Sequence, residues 1–279
     1  MDDTPPRETA LAALAQFAKR GTEPLDIAHG ALVLAMLGRP RVPLERYRAH
    51  LAELAADLSA AARLAQGIEG AVNALTATLF DRHGYAGDTE TYDDLQNANL
   101  MRVIDRKRGL PVALGILAIH AARAQGWEGV GLNFPGHFLV RIGRDSQRAI
   151  IDPFNRGKML AADELRALLR SMAGEDARLE PGHYAALADR DVLLRLQNNI
   201  KVRQLQAGAV EEALKCLEAM IALAPDKGEL WREQGLLHAR TGNLRAAQGA
   251  LERFLTLDPS DTERHRIAAV LQEIKGRLN

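Results

Sequence analysis

The chain has 279 residues, 47% of them apolar and 26% charged, which is enough for two domains with separate cores. Its 36 Lys and Arg balance 36 Asp and Glu, so the basic excess of a dedicated nucleic-acid or membrane-surface binder is missing. A single cysteine, Cys216, excludes an internal disulfide framework and a cysteine-based metal site.

The opening MDDTPPRETA is acidic and proline-bearing, with no basic n-region or apolar h-region. The most apolar early run, Ala31 to Leu37, is too short to span a bilayer. Both features predict a cytoplasmic protein with no membrane partner.

Residues 1–66 read as a helical region. Apolar residues at helical spacing (Leu11, Leu14, Phe17) predict a helix over Glu8–Lys19, preceded by Thr4-Pro5-Pro6. A second, more buried helix runs from Asp26 to Leu37, stopped by Gly38 and Pro40. A third runs from Pro43 to Leu64 with Leu44, Tyr47, Leu51, Leu54 and Leu58 on one face. These faces are expected to be core packing.

Residues 67–185 carry a different pattern. A helix over Ile68–Phe80 closes at His83-Gly84, and the polar stretch Asp88–Asn99 leads to a short helix through Arg106. Pro111 stands where proline is best tolerated, in the first turn of the next helix. From Val112 to Gln125 that helix is apolar nearly all round, which predicts burial inside the domain. Past Gly126, Val130-Gly131-Leu132, a strand beginning at His137 and a return strand Arg148–Asp152 around the turn Gly143–Ser146 predict a small antiparallel sheet. A helix over Ala162–Ser171 follows. The fold class is α+β.

Residues 190–279 repeat. Gly208 and Gly242, Ala213 and Ala247, Leu217 and Leu251, Leu223 and Leu257, and Pro225 and Pro259 are each 34 residues apart. That period, with small residues where helices touch and a proline after the second helix, is the tetratricopeptide signature. Trp231 and Gly235 fit first-helix positions, and Thr262–Leu278 reads as a closing helix. This region is all-α.

Helix, then His137, then Asp152 fifteen positions later is the order of parts in a papain-like or transglutaminase-like core. There a thiolate at a helix N-terminus attacks an acyl carbon, a histidine moves protons, and an acid orients the imidazole. The hairpin puts His137 and Asp152 at one end, as such a dyad needs. The helix start offers only Leu110, Pro111, Val112 and Ala113, none of them a nucleophile. From Asp93 to Asp145 there is no Ser, Thr, Cys or Tyr, and the one residue able to attack, Lys107, lies ahead of the helix. Removing a nucleophile from a coupled triad lowers turnover about a million-fold.

Plainer roles stand beside these. His137, after Pro135-Gly136, is either a turn histidine bonded to Asp152 or a ligand contact. Asp152, before Pro153, also reads as an acceptor of turn amides. His120 reads as a core histidine and Cys216 as a small buried hydrophobe on a repeat helix. No close ligand pair suggests a metal, and no cofactor is expected.

The runs LFDRHGYAGD, YDDLQNANLMRVIDRKRGLPVALGILAIHAARAQGWEGVGLNFPGHFLVRI and IDPFNRGKML resemble the bacterial SirB family, transglutaminase-like proteins with C-terminal tetratricopeptide repeats. The resemblance implies a papain-like transglutaminase core, with His137 and Asp152 at its catalytic His and Asp and Pro111 or a neighbour at its cysteine. The expected function is a non-catalytic module that binds a protein or peptide through its repeats and a cleft at His137, Asp152, Asn155, Asn99 and Pro111. The alternative is a peptidase- or amidase-like hydrolase in which His137, oriented by Asp152, activates water. Nothing in the sequence fixes the oligomeric state.

Overall fold

The computed structural model describes residues 6–19, 24–257 and 259–278. Thr4 and Pro5, expected to precede the first helix, lie outside them. The chain divides into two compact units, Met1–Ala10 with Thr22–Leu196, and Leu11–Gly21 with Gln197–Asn279. Among the described residues, no helix is long and apolar enough to cross a membrane.

After α1 (Pro6–Ala18), the first unit holds α2 (Ile27–Gly38), α3 (Glu45–Ala62), α4 (Gly67–Thr76), β1 (Ala86–Gly87), α5 (Leu100–Arg106), β2 (Arg108–Gly109) and α6 (Pro111–Arg123). It continues through β3 (Glu128–Gly131), β4 (Val140–Arg144), β5 (Gln147–Asp152), β6 (Lys158–Met159) and α7 (Ala162–Ala173). Asp26 caps α2 by accepting from His29 N at 3.0 Å, so the helix starts one residue later than its apolar pattern suggests. α4 runs on into a wider π-type turn over Ala77–Arg82.

The centre of this unit is α6. Every residue from Pro111 to Ala122 is buried except His120, whose Nε2 donates to Leu51 O of α3 at 3.2 Å. An all-apolar helix needs cover on all sides, and α2, α3 and the sheet supply it. The helices α2 and α3, before residue 67, share the unit that contains the sheet. Gly115 lets the sheet approach: a methyl group there would overlap Phe138 Cε1 and lie 3.1 Å from Val140 Cγ2.

The sheet has the antiparallel order β3-β4-β5-β6, with Val140 opposite Ile151. The strands are shifted from their expected limits. β4 begins at Val140, so His137 lies in the bend before it and not on the strand. The apolar run Phe138-Leu139-Val140 gives no sign of where pairing starts, since side chains on both faces are buried. The two-residue strands β1, β2 and β6 are too short to carry any periodicity.

A carboxylate closes the unit. Asp189, the first residue of α8 (Asp189–Gln206), accepts from Leu25 N at 2.8 Å and from Arg123 Nη1 and Nη2 at 2.7 and 2.8 Å. Arg123 also donates through Nε to Gly129 O at 2.9 Å. The entrance to α2, the end of α6 and the start of α8 thus meet at one ion pair.

The second unit takes the rest of α8 and then α9 (Val210–Leu223), α10 (Gly228–Arg240), α11 (Leu244–Leu255) and α12 (Asp261–Leu278). The repeat is visible atom by atom. Gly208 and Gly242 hold φ of 73° and 77°, the left-handed turn that glycine adopts without strain. Ala213 and Ala247, and Leu217 and Leu251, are wholly buried, and Trp231 Nε1 donates to Pro225 O at 2.9 Å.

Two substitutions test this packing. Gly115→Ala should destabilise the protein by about 1–3 kcal/mol through overpacking against Phe138. Asp189→Ala should cost about 3–5 kcal/mol, because it strands the half-buried Arg123 guanidinium and leaves Leu25 N without its acceptor. Urea unfolding of both variants measures this.

Candidate functional site

His137 and Asp152 meet. The bend before β4 and the last residue of β5 place His137 Nε2 2.9 Å from Asp152 Oδ1. Asp152 is 2% exposed and also accepts from Phe154 N at 2.9 Å, Asn155 N at 3.3 Å and Asn155 Nδ2 at 2.6 Å. The turn-acceptor role and the histidine-orienting role therefore coexist on one carboxylate. Burial opposes its ionisation, but the bonds from His137 and Asn155 outweigh burial and hold the carboxyl below the usual aspartate range. An ionised carboxylate only accepts, so Nε2 carries a proton, and in the neutral form of an imidazole held this way Nδ1 is the acceptor.

Asn155 joins this pair through its amide nitrogen and is otherwise exposed. Pro111 is the buried first residue of α6, whose N-cap, Leu110, makes no side-chain capping bond. The first N–H groups of that helix are thus without side-chain partners at the positive end of its dipole. Asn99 does not join the others. Its Oδ1 caps α5 by accepting from Arg102 N at 3.2 Å, and its Nδ2 donates to Ala35 O of α2 at 3.0 Å. Helix capping and an inter-helix tie occupy both ends of that amide.

An aromatic contact links the dyad to the start of α6. Phe154 stands edge-on to His137, with ring centroids 6.4 Å apart, and Tyr92 stands edge-on to Phe154 at 5.6 Å. A Cβ on Gly87 would lie 2.6 Å from Phe154, and Gly87 pairs with Gly109, two residues before Pro111. Arg195 of α8 holds the loop from below by donating to His137 O at 2.6 Å and Phe134 O at 3.3 Å. Phe154 lies within the IDPFN run. Tyr92 opens the YDDLQNANLM run, whereas Arg195 lies outside every motif and only the tertiary fold brings it in.

The other reactive side chains are held elsewhere. Lys107 closes α5 in the left-handed region, with φ of 57°. Its Nζ donates to His50 Nε2 at 3.1 Å and Tyr85 Oη at 3.3 Å. Burial lowers its pKa, against the raising pull of Glu53 and Asp105. Cys216, on α9, donates to Gln197 O at 3.3 Å, and burial pushes its thiol up to about 12, so it is protonated at neutral pH. Among the described residues, no group of three or more His, Cys, Asp or Glu side chains is placed to hold a metal ion.

A family model described as the transglutaminase-like superfamily matches residues 45–198. The chain belongs to that superfamily. A tetratricopeptide-repeat model matches residues 200–272. A UPF0162 protein of Xylella fastidiosa (strain 9a5c) is 34% identical over 190 residues, covering 67% of this chain and 68% of its own. One from Vibrio cholerae is 26% identical over 85% of this chain and 88% of its own. Another from Pseudomonas aeruginosa is 26% identical over 96% of each. The transglutaminase-like match begins at the first residue of α3, consistent with α3 and α4 belonging to the unit that holds the sheet.

The depressed Asp152 pKa sets a pH dependence. Unfolded aspartate titrates near about 3.9, so the contribution of Asp152 to stability is complete above that value. It is lost as pH falls through the lower folded-state pKa. Asp152→Asn should lower stability by about 1–3 kcal/mol at neutral pH. It should also make the acid fall in melting temperature shallower without abolishing it, since Asp88 and Glu128 are depressed too. Melting curves from about pH 6 down to about pH 2 check both effects.

Proposed function

We propose that this chain is a SirB-type, non-catalytic transglutaminase-like module joined to a short tetratricopeptide array, and that it acts by binding a protein or peptide. Tetratricopeptide repeats stack helices into surfaces that commonly hold peptides. The observation that carries the non-catalytic part is the start of α6. Pro111 occupies it, buried and lacking even an N–H, while the lone thiol of the chain is protonated on α9.

In this reading the dyad recognises and does not cleave. His137 Nδ1 and Asn155 Oδ1 offer two acceptors, the first N–H groups of α6 offer donors, and Pro111 and Phe154 supply apolar walls. That set suits a carboxamide or a main-chain amide of a partner. Asn99 has no part in it.

The test is a broad screen of peptide, amide and ester substrates on the wild type and His137→Ala, run beside a pull-down with both. We expect no turnover above background from either, and a partner retained by the wild type whose capture falls at least tenfold with His137→Ala. Turnover present in the wild type and absent from His137→Ala would replace binding with hydrolysis by histidine-activated water. A lowered melting temperature with partner capture unchanged would reduce the pair to a hairpin staple.

A further inference from the structure

Away from the dyad, α7, β5 and the segment after α7 enclose a pocket of about 650 Å³. Its walls are apolar: Leu165 of α7 belongs to a small buried cluster, and Ile150 and Leu179 pack against that cluster while bordering the pocket. Tyr184 closes one end, held by its carbonyl, which accepts from Arg141 Nη1 at 3.5 Å. The volume is within the usual range for a site that takes a small molecule or a side chain.

Three arginines, Arg166, Arg170 and Arg178, complete the lining, and all three are exposed. None makes an ion pair or a side-chain hydrogen bond with another described residue. The acidic residues of the same stretch, Glu175, Asp176 and Glu180, are absent from the pocket and form no ion pair with them. The contrast within α7 is sharp: Glu164 in its first turn is bonded to Lys158, while Arg166 and Arg170, one turn apart, face each other as like charges. Like charges at that spacing destabilise a helix. A neutral chain that gathers three unpaired guanidinium groups around an apolar hollow has the charge pattern of a site awaiting carboxylates, which the guanidinium fork binds in bidentate fashion.

We propose that this pocket binds an acidic peptide segment, with one large apolar side chain seated on Leu165, Ile150 and Leu179 and flanking Asp or Glu carboxylates on Arg166, Arg170 and Arg178. The peptide form follows from the placement of the cations. They come from two separate segments around the hollow, which suits carboxylates spaced along a chain on either side of an anchor. The site shares no residue with the His137 cleft, and the inference stands whether or not that cleft binds anything.

The test uses the full chain and a fluorescein-labelled peptide, Asp-Glu-Glu-Phe-Asp-Glu, read by fluorescence anisotropy at low ionic strength. We expect saturable binding that weakens at least tenfold with Arg166→Glu/Arg170→Glu. Replacing the peptide's Phe with Gly should weaken it to a similar degree. The arginines are exposed, so the double variant should keep its circular dichroism and melting temperature. Ile150→Asp, which alters the pocket wall and leaves all three arginines, is the second variant and should also abolish binding. Absence of binding to the wild type would overturn the proposal. So would equal binding of the Gly peptide, which would mean charge attraction alone, or displacement of the peptide by decanoate but not by unlabelled peptide, which would mean a fatty-acid site. Equal binding by the double variant would overturn it as well.

Discussion

The structure of the first unit depends on the complete burial of α6. A helix with no polar face has no stable position at a surface, so its neighbours are arranged to surround it: helices α2 and α3 on one side and the four-stranded sheet on the other. Everything at the candidate site follows from that enclosure. Gly115 allows Phe138 and Val140 to rest directly on the helix. That contact fixes the bend before β4, and with it the height at which His137 meets Asp152. Apolar packing one layer below the dyad supports it alongside its own hydrogen bond.

The same logic explains how polar residues are used in this unit. Asp152 and Asp189 are both buried, and several donors converge on each of them. Each also joins segments far apart in the chain. The difference between them is what they leave open. Asp189 uses up its partner Arg123 on backbone carbonyls and a bidentate pair, whereas Asp152 leaves one nitrogen of its histidine and one oxygen of its asparagine available. One of these two knots is closed on itself and the other keeps polar atoms unspent.

Much of the architecture was legible in the sequence because it is written in periods. The 34-residue repeat, the all-apolar run after Pro111 and the turn at Gly143–Ser146 each state a geometry directly. The helix limits moved by one or two residues, as at Asp26, where a side-chain cap set the start. What was illegible depends on contacts between distant segments. The strands β1 and β2 have two residues each, and the position of His137 before its strand is set by pairing with β5. Asn99 looked available as a polar residue beside the site, but its amide is bound at both ends, and only the approach of α2 to α5 reveals that. Tyr92, Phe154 and Arg195 come from three regions, and Arg195 lies 58 positions from the histidine whose carbonyl it holds.

The bond from Leu25 N to Asp189 spans 164 positions, nearly the full length of the first unit. During synthesis that contact is unavailable until α8 has left the ribosome, by which time α2 through α7 have already emerged. Vectorial translation therefore produces a nascent core whose two ends are unjoined, with the α2 entrance and the Arg123 guanidinium awaiting the same late carboxylate. A chain truncated before residue 189 would lack that carboxylate altogether and leave Leu25 N and Arg123 without the acceptor that joins them.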